Sequence, residues 1–548
     1  MTETSRPTHT ATEFTPKLLT VWREGYRLAD LRADALAGLT VAIVALPLSM
    51  AIAIASGVGP ERGLYTAIVG GFLVSALGGS RFQVGGPAGA FIVLVSACVL
   101  ATGLDGLILA TFLSGVLMIA AGGLRLGTYI RYIPYPVTVG FTAGIAVIIF
   151  ASQLREIFGL SLAGPEPGEI IAKLEALWAV RGTVTWAALA VAALTAGVIL
   201  GLRRVRPHWP GMLIAVAASS VLVWAAELPV DTIASRFGAL PNRLPVPALP
   251  GLDAASVWAA LPWAASFALL GAIESLLSAV VADGMSGARH RSNAELVAQG
   301  MANIGSALFG GFCVTGTIAR TATNVRAGSR GPVSGMLHAV FLLVFLVVAA
   351  PLAGFVPLAA LAGVLAVVAW GMAEKDEMWA LIRSSRGDAM VVVVTFLLVV
   401  FRDLTEGIVV GFALGGLVFI RRMSEAASVR PVEPEAAYDP ALHTSPDRVV
   451  WRLQGPYFFG AAAQLQAVMD RIADAPRTVV IDLTDVPLVD SSGARSFERL
   501  AQKAQRRGGQ LFLIGARPEV HRALLAQGLH IPLVRFAATL AEVDAASG

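Results

Sequence analysis

One stretch decides which class of fold this chain adopts: Trp263-Ala-Ala-Ser-Phe-Ala-Leu-Leu-Gly-Ala-Ile-Glu274-Ser-Leu-Leu-Ser-Ala-Val-Val-Ala282. An apolar run of about twenty residues is long enough to cross a lipid bilayer as one helix. Glu274 stands near its middle, where a charge is costly and usually marks an ion or substrate pathway. The alternative is a protonated carboxyl group that only joins two helices by a hydrogen bond. The stretch predicts a membrane transporter with a titratable group at its centre.

The composition agrees with a membrane protein. Of the 548 residues, 56% are hydrophobic and 14% are charged, against roughly 25% charged residues in a soluble domain. The net charge of +4 comes from basic residues scattered between apolar runs, which is typical of topology determinants and not of a nucleic-acid surface. Cys98 and Cys313 offer neither a metal spacing nor a disulfide framework. The membrane part shows no nucleophile–base pair and no nucleotide loop, so we expect no enzyme activity, no metal and no cofactor.

Apolar runs predict about fourteen membrane segments. Eleven are clear on length, and three shorter, Gly-rich segments at 87–101, 295–309 and 316–324 count as full or half spans. The clear segments are 35–55, 64–79, 105–122, 135–151, 184–201, 211–226, 262–282, 333–350, 355–371, 389–401 and 405–420. The predicted parts are an N-terminal segment (1–34), a first transmembrane repeat (35–226), an extracytoplasmic connection (227–261), a second repeat (262–422), a linker (423–447) and a C-terminal domain (448–548).

The basic residues predict the orientation of these segments. Lys17, Arg23, Arg27 and Arg32 precede the first helix, which places the N-terminus in the cytoplasm. An even number of spans then places the C-terminus there as well. Residues 1–16 are polar and lack the apolar core of a cleavable signal peptide. We expect a multi-pass protein of the cytoplasmic (inner) membrane.

The two halves of the membrane part carry a weak internal repeat. Pro47 and Glu274 each open an apolar stretch that ends in Gly ten residues on, at Gly57 and Gly284. Downstream, Ser-Ala-Leu leads to Phe82-Gln-Val-Gly-Gly-Pro in one half and to Phe312-Cys-Val-Thr-Gly-Thr in the other. Inverted repeats with Gly- and Pro-interrupted segments in matching positions point to a transport site. Chance similarity between apolar segments is the alternative.

The matched segments suit two half-helices that meet in the membrane. Gly85-Gly86-Pro87-Ala88-Gly89 predicts an extended approach and a helix beginning near Pro87. Thr315-Gly316-Thr317 predicts a hydroxyl cap and a helix beginning near Ile318. Their free N–H groups and positive dipole ends would form an anion site. Arg320 adds a full positive charge, unless it only pairs with Glu274 or a carbonyl.

These motifs resemble the sulfate permease (SulP) family of anion transporters. The resemblance rests on Gly63-Leu-Tyr65, Gly86-Pro87, Glu274 to Gly284, Asn293 to Asn303 and Arg320 to Gly328. It implies an α-helical membrane protein with a seven-plus-seven inverted repeat. A core domain of helices 1–4 and 8–11 would move against a gate domain of helices 5–7 and 12–14. The resemblance also implies a homodimer and an anion between the N-termini of helices 3 and 10.

The resemblance further implies site residues. The expected anion contacts come from helix 3 and helix 10, with Thr317 near the pocket; they are Ala88, Gly89, Thr317, Ile318, Ala319 and Arg320. In sodium-coupled relatives an Asp stands at the position of Glu274, with a hydroxyl at the position of Ser278. Glu274 departs from that pattern. Since low dielectric favours the protonated form of a carboxyl group, we expect coupling to protons through Glu274 and Ser278.

The C-terminal region resembles a STAS domain. The runs 449–453, 478–483 and 510–514 predict strands, and amphipathic stretches near 461–473 and 493–507 predict helices, in an α/β order. Ser491 and Ser492 lie in its signature loop, where soluble relatives are phosphorylated. The alternative is that Ser caps the following helix. We expect a cytoplasmic domain that is open to a regulatory partner.

The sequence therefore predicts a secondary active transporter of a small inorganic or carboxylate anion. Sulfate, bicarbonate and dicarboxylates all suit a pocket lined by helix dipoles, and proton symport is the favoured coupling. An uncoupled or sodium-coupled exchanger or a channel of the same fold stays open. The nucleobase-carrier branch of this fold fits less well, because it lacks a STAS tail and has no need of Arg320. The expected partners are the anion, a proton, membrane lipid and a second copy of the chain, without nucleic acid.

Overall fold

The computed structural model of the chain describes residues 13–130, 133–164, 166–206, 209–402, 404–431, 448–462 and 478–547. The chain divides into two compact units, Met1–Phe412 and Ala413–Gly548. The first unit contains almost all of the membrane helices. The second begins within the last of these helices and continues into an α/β domain.

Seven segments of the first repeat cross the membrane region. They are α2 (Leu28–Ala55), α3 and α4 (Pro60–Tyr65 and Gly71–Leu77), the two parts of α5 (Ile92–Gly123), α7 (Tyr135–Phe158), α9 (Trp186–Val205) and α10 (Gly211–Ala225). A π-helical turn, Thr66–Gly70, joins α3 to α4. Gly103 divides α5 into helices 3 and 4, since its φ of 73° and ψ of −173° are accessible essentially only to glycine. The short helices α1 (Lys17–Arg23), α6 (Gly127–Ile130) and α8 (Ile170–Ala179) lie outside this count.

The second repeat supplies seven more segments. They are α12 (Ala254–Ser286), α13 (Ser292–Leu308), α14 (Ile318–Arg326), α15 (Val333–Ala353), α16 (Leu358–Met372), α18 (Arg386–Phe401) and α19 (Leu404–Glu425). The short helices α11 (Ile233–Phe237) and α17 (Lys375–Ser384) are not among them. Across the described residues, eight helices are long and apolar enough to span a bilayer unaided. The remaining segments are shorter, and α14 is a half-helix of nine residues.

Local sequence explains where the longest helix begins and ends. The Asp253 carboxylate accepts a hydrogen bond from the Ser256 N–H (3.0 Å) and caps the N-terminus of α12. The helix ends at Gly287, whose φ of 73° gives the left-handed stop that favours glycine. Between these ends α12 carries Glu274 through the middle of the membrane part.

Helix packing separates the membrane part into a core and a gate. In the core, α5 packs against α12 and α13, and α2 packs against α15. In the gate, α7 packs against α16 and α18, and α9 packs against α10 and α16. Gly115 of α5 and Gly300 of α13 let the two backbones touch, since an added Cβ at either would meet the carbonyl oxygen of the other. The seven-plus-seven repeat with core and gate is confirmed.

The α/β domain is built on a five-stranded sheet whose strands lie side by side in chain order. Its elements are β3 (Ser428–Pro431), β4 (Arg448–Gln454), β5 (Thr478–Asp485), α20 (Ser491–Arg506), β6 (Gln510–Ile514), α21 (Pro518–Ala526), β7 (Val534–Ala537) and α22 (Leu540–Ser547). β3 runs antiparallel to β4, and the other neighbours are parallel. Phe497, Leu500 and Leu513 contribute to the apolar core between sheet and helices.

The secondary structure departs from the sequence prediction in two strands. β3 lies in the segment expected to be a linker, and β7 was not expected, because short strands are decided by their sheet neighbours more than by their own sequence. The predicted domain boundaries stay a prediction. Much of the predicted linker (432–447), most of the helical stretch near 461–473 (463–473) and residues 1–12 lie outside the described residues.

Candidate functional site

Two short strands join the repeats at the centre of the membrane part. β1 (Gly85–Gly86) and β2 (Thr315–Gly316) pair antiparallel, with Gly85 opposite Gly316 and Gly86 opposite Thr315. The Thr317 N–H extends the pair by donating to the Val84 carbonyl (3.1 Å). Each strand leads directly into a half-helix, so the pairing brings the two half-helix starts together.

Both half-helices begin without a capping side chain. A 3₁₀ turn, Gly89–Phe91, precedes α5, and the side chain of Ala88 before it forms no capping bond. α14 begins at Ile318, and the side chain of Thr317 before it forms no capping bond either. The first N–H groups of a helix have no partner within the helix. Two such ends, each the positive end of a helix dipole, suit an anion.

Two local expectations were wrong. The first helix starts at Gly89 and not near Pro87, because the Pro87 carbonyl is held outside the helix as an acceptor for Arg320 Nη2 (3.3 Å). The hydroxyl of Thr317 does not cap α14. It lies 3.5 Å from the Val84 carbonyl and so extends the strand pairing instead.

The expected anion contacts differ in how open they are. Ala319 is exposed, while Gly89 and Ile318 are half-buried. Ala88 and Thr317 are buried, with 2% and 8% of their surface exposed. The open position at this junction is therefore the first turn of α14, around Ala319.

Arg320 extends from α14 across to the other half-helix start. Its side chain is 1% exposed. Nη1 donates to the Gly85 carbonyl (3.3 Å), while Nη2 donates to the Ser49 hydroxyl (3.0 Å) and the Pro87 carbonyl (3.3 Å). Nε has no hydrogen-bond partner, and within the described ranges no carboxylate forms an ion pair with this guanidinium. Arg320 thus binds carbonyls, as one of its two sequence interpretations predicted, and places an unneutralised charge between the half-helices.

The close approach of this guanidinium requires glycine at position 86. A Cβ on Gly86 would overlap the guanidinium of Arg320. The backbone of β1 and the cation therefore share one small space. Sequence reasoning assigned Gly86 to an extended approach to the helix, and the structure adds that it makes room for the guanidinium of Arg320.

Glu274 and Ser278 lie on α12, which packs beside β2. Glu274 Oε2 is buried, and none of the described residues gives it a hydrogen bond. Ser278 Oγ donates to Thr321 Oγ1 (3.1 Å), which in turn accepts the Val84 N–H (3.2 Å). Ser278 is therefore connected to the half-helix junction by hydrogen bonds through Thr321. Among the described residues, Glu274 Oε2 has no such partner.

Helix α13 holds the backbone that leads into each of the two short strands, β1 and β2. The sequence reasoning missed this role. Glu295, fully buried, accepts from the Ser80 N–H (2.9 Å) and from the Gln83 side chain (2.9 Å), just before β1. Asn303 pairs with the backbone of Val314, just before β2. One helix therefore fixes the approach to each half-helix.

The sequence contains a signal for this clamp, by which we mean the contacts of Glu295 and Asn303 with the backbone ahead of β1 and β2. Glu295, Gln299 and Asn303 follow one another at intervals of four residues, which places three long polar side chains on one face of a helix. Buried polar side chains need partners. The spacing therefore indicates a polar contact surface, although it does not say which backbone the surface holds.

In the α/β domain, the signature loop is capped by an aspartate. The Asp490 carboxylate accepts from the N–H groups of Gly493 (2.8 Å) and Phe459 (3.1 Å), and α20 begins at Ser491. The expectation that a serine caps this helix was wrong, because the carboxylate one residue earlier occupies that position. Ser491 is exposed and Ser492 is half-buried in the first turn.

Two inverted seven-helix repeats, joined at paired half-helix starts, define a multi-pass membrane protein of the inverted-repeat transporter class. Residues 31–395 match the sulfate permease family, and residues 439–543 match the STAS domain. The chain belongs to the sulfate permease family and carries a C-terminal STAS domain.

Relatives align along nearly the full chain. A putative sulfate transporter of Bacillus subtilis, YvdB, is 38% identical over 92% of this chain and 95% of its own length. The bicarbonate transporter BicA of a Synechocystis species is 31% identical over 90% of both chains.

Solved structures show the same fold. The transmembrane domain of a cyanobacterial bicarbonate transporter, BicA, superposes with a TM-score of 0.62 at 30% identity, covering 71% of this chain and 98% of that one. The murine anion transporter Slc26a9 superposes with a TM-score of 0.85 at 19% identity, covering 100% and 97%. The likeness to Slc26a9, at this low identity, shows the fold alone.

Proposed function

We propose that this protein is a secondary active transporter that carries a small anion across the cytoplasmic membrane by proton symport. The observation that carries the proposal is the pair of uncapped half-helix starts around the buried Arg320 guanidinium. Relatives bear the names of sulfate and bicarbonate transporters. Sulfate and bicarbonate are therefore the first substrate classes that we propose, and dicarboxylates are added because they suit the same dipole-lined pocket.

The anion binds against backbone and not against a long side chain. The donors are the first N–H groups of the two half-helices, at Gly89, Ile318 and Ala319, and the small, exposed side chain of Ala319 leaves room beside them. Arg320 acts mainly through its charge, because its Nη groups are already donating to carbonyls and to Ser49. A charge in a low-dielectric site acts strongly on a neighbouring anion without touching it.

The proton binds at Glu274. A neutral carboxyl group costs less in the membrane than a carboxylate, and the unpartnered Oε2 can take a proton without breaking an existing bond. When anion and proton enter together, the core crosses the barrier with less net charge. This coupling gives symport, with the pH gradient as the source of energy.

The core moves against the gate to present the site to each side in turn. The start of helix 3 touches the gate at Ile149 of α7, since a Cβ on Gly89 would lie 2.7 Å from Ile149 Cδ1. A bare backbone at this contact allows the two surfaces to slide and separate. We propose in addition that the termini are cytoplasmic, that the chain forms a homodimer, and that the STAS domain binds a cytoplasmic regulatory partner.

Uptake into proteoliposomes tests the proposal. The purified protein is assayed with labelled sulfate, bicarbonate and succinate, each under an inward proton gradient, an inward sodium gradient or neither, with protein-free liposomes as control. We expect at least one anion to accumulate under the proton gradient and no response to sodium. Uptake that responds to sodium alone, or flux indifferent to both gradients, would establish the alternative of a sodium-coupled or uncoupled exchanger. Absence of uptake for all three anions contradicts the proposal.

A further inference from the structure

An amphipathic segment precedes the first membrane helix. We call residues 15–34 the N-terminal anchor; they comprise α1, a turn at Gly25 with a φ of 93°, and the start of α2. α1 turns Val21 inward, with 4% of its surface exposed, and leaves Trp22 76% exposed. Exposed leucines continue this apolar surface along one side of α2; they are Leu28, Leu31, Leu36 and Leu39. The apolar surface of a membrane helix therefore continues along the chain to Trp22.

The start of α2 reaches beyond the hydrocarbon core of a bilayer. α2 has 28 residues, and its charged residues Asp30, Arg32 and Asp34 all lie near its N-terminal end. About 20 residues cross the hydrocarbon core, so about eight residues of α2, or ~12 Å of helix, remain for the headgroup layer. Trp is enriched at this depth. The position of Trp22 just ahead of α2 is therefore typical of a residue at the membrane surface.

The anchor presents three cations beside this apolar surface. Its exposed basic side chains are Arg23, Arg27 and Arg32. Within the described ranges none of these three forms an ion pair with a carboxylate, and the neighbouring Glu24 pairs with Arg81 instead (2.8 Å). Asp30 accepts the backbone N–H of Arg27 (2.9 Å), and Asp34 is buried. Arginine binds phosphate oxygens through parallel N–H bonds, and each cation near an anionic membrane surface contributes about 1 kcal/mol of binding. The surface therefore fits an anionic phospholipid better than a zwitterionic one.

The anchor is also bonded to the chain around both half-helices. It contacts the loop ahead of β1, the start of α13 and the chain just after α14. The bonds run from the Lys17 N–H to the Gly78 carbonyl (2.9 Å), from Arg291 Nη1 to Thr20 Oγ1 (2.9 Å) and from the Gly331 N–H to the Asp34 carboxylate (3.1 Å). A ligand that holds the anchor in place therefore stabilises the approaches to the half-helix junction as well.

We propose that the N-terminal anchor is a binding surface for anionic phospholipid. The exposed Trp22 and the leucines of α2 lie against the lipid, the three arginines bind the headgroup phosphates, and the bound lipid stabilises the core around the half-helices. Lipid is the occupant because the surface is continuous with a membrane-spanning helix and carries charge complementary to a phosphate. Residues 1–12 are polar and do not suit an apolar face. The proposal goes beyond anion transport and does not depend on which anion is carried.

A fluorescent label on α1 tests the contact with lipid. Cys98 and Cys313 are both buried, so Leu19→Cys adds an accessible thiol one turn from Trp22 and leaves Trp22 in place. The labelled full-length protein is placed in vesicles of equal parts phosphatidylcholine and phosphatidylglycerol. We expect spin-labelled phosphatidylglycerol to quench the label more strongly than spin-labelled phosphatidylcholine. Asn242→Cys, at an exposed position, is the control and should show no such preference. Equal quenching of the α1 label by both lipids would overturn the proposal. A label that is shielded in detergent and becomes exposed on dilution would assign the surface to a second copy of the chain, with the same consequence.

Thermal unfolding in detergent tests the arginines and their effect on the core. A ligand that binds only the native state raises the unfolding temperature, so we expect added phosphatidylglycerol, and not phosphatidylcholine, to raise it by a few degrees. Replacing the three arginines of the anchor together by Gln should abolish this gain. The matched control replaces three exposed arginines at the end of α9 by Gln and should keep the gain; they are Arg203, Arg204 and Arg206. An undiminished gain in the anchor variant, or an equal loss in both variants, would overturn the site. Neither measurement involves transport, so its failure leaves the proposed function untouched.

Discussion

Asn303 binds Val314 through both ends of its side-chain amide. Oδ1 accepts the Val314 N–H (3.0 Å), and Nδ2 donates to the Val314 carbonyl (3.0 Å). A side chain that satisfies both backbone groups of one residue acts like a strand neighbour. The backbone ahead of β2 is therefore held by α13 in addition to the pairing of β2 with β1.

Replacing Asn303 by Ala should loosen the second half-helix. Val314 would keep two buried backbone groups without partners, at a cost of about 1–3 kcal/mol for each unsatisfied group. We expect a lower thermal unfolding temperature in detergent and weaker anion binding, measured on the same preparation. Asn242→Ala, at an exposed position, is the control and should change neither. Unchanged anion affinity in a destabilised Asn303→Ala protein would show that the clamp does not position the site.

Replacing Glu295 by Gln should disturb the first half-helix. The carboxylate accepts bonds from Ser80, Gln83 and Gln299, and an amide presents one acceptor oxygen and an NH₂ group that meets donors. We expect a loss of stability of about 1–3 kcal/mol from the unmatched donors, measured by thermal unfolding in detergent. Gln299→Leu removes one donor and leaves the acid in place, and it should cost less. A Glu295→Gln protein as stable as the wild type would contradict this account of the loop.

A larger side chain at Ala319 should block the anion without disturbing the fold. Ala319 is exposed at the open first turn of α14, whereas Ala88 is buried at the other half-helix start. We therefore expect Ala319→Leu to unfold like the wild type and to lose anion binding by at least about tenfold. Ala88→Leu should lower the unfolding temperature as well, because overpacking costs about 1–3 kcal/mol. Normal uptake by Ala319→Leu would place the substrate elsewhere.

Glu274→Gln should separate binding from accumulation. Gln is neutral at every pH, so the variant should still bind the anion and exchange it across the membrane. It should no longer concentrate the anion when a pH gradient is the only source of energy. Proteoliposome uptake with and without the gradient measures this difference. Glu274→Asp, which keeps a titratable group, should retain some accumulation. Accumulation by the Gln variant at the wild-type level would exclude Glu274 as the coupling group.

The cap of α20 predicts a contrast among three neighbouring residues. Asp490→Ala should destabilise the STAS domain by about 1 kcal/mol, since it removes an N-cap, while Ser491→Ala and Ser492→Ala should have smaller effects. Thermal unfolding of the full-length variants checks this order. A serine variant that costs more than Asp490→Ala would indicate a role for that hydroxyl beyond the first turn of the helix.

The sequence predicted the larger architecture because that information is local. Run length and Gly/Pro breaks predict the membrane segments, and the second half-helix was expected to start near Ile318, where α14 begins. The direction of Arg320 was not decided by sequence, since its acceptors at Gly85 and Pro87 come from the other repeat. The clamp by Glu295 and Asn303 was missed for the same reason. The four-residue spacing of Glu295, Gln299 and Asn303 indicates a polar helix face, but a periodic pattern does not say which distant backbone that face contacts.

The distance along the chain between the paired half-helices has a consequence for biosynthesis. Gly85 and its partner Arg320 are 235 residues apart. At roughly 5–20 residues per second of translation, the ribosome needs some ten to fifty seconds to deliver the second after the first. During that interval the glycine-rich strand of the nascent first repeat has no partner strand for its N–H and carbonyl groups. The first repeat must therefore stay in the membrane with this strand unpaired until the second repeat, of opposite orientation, has been made.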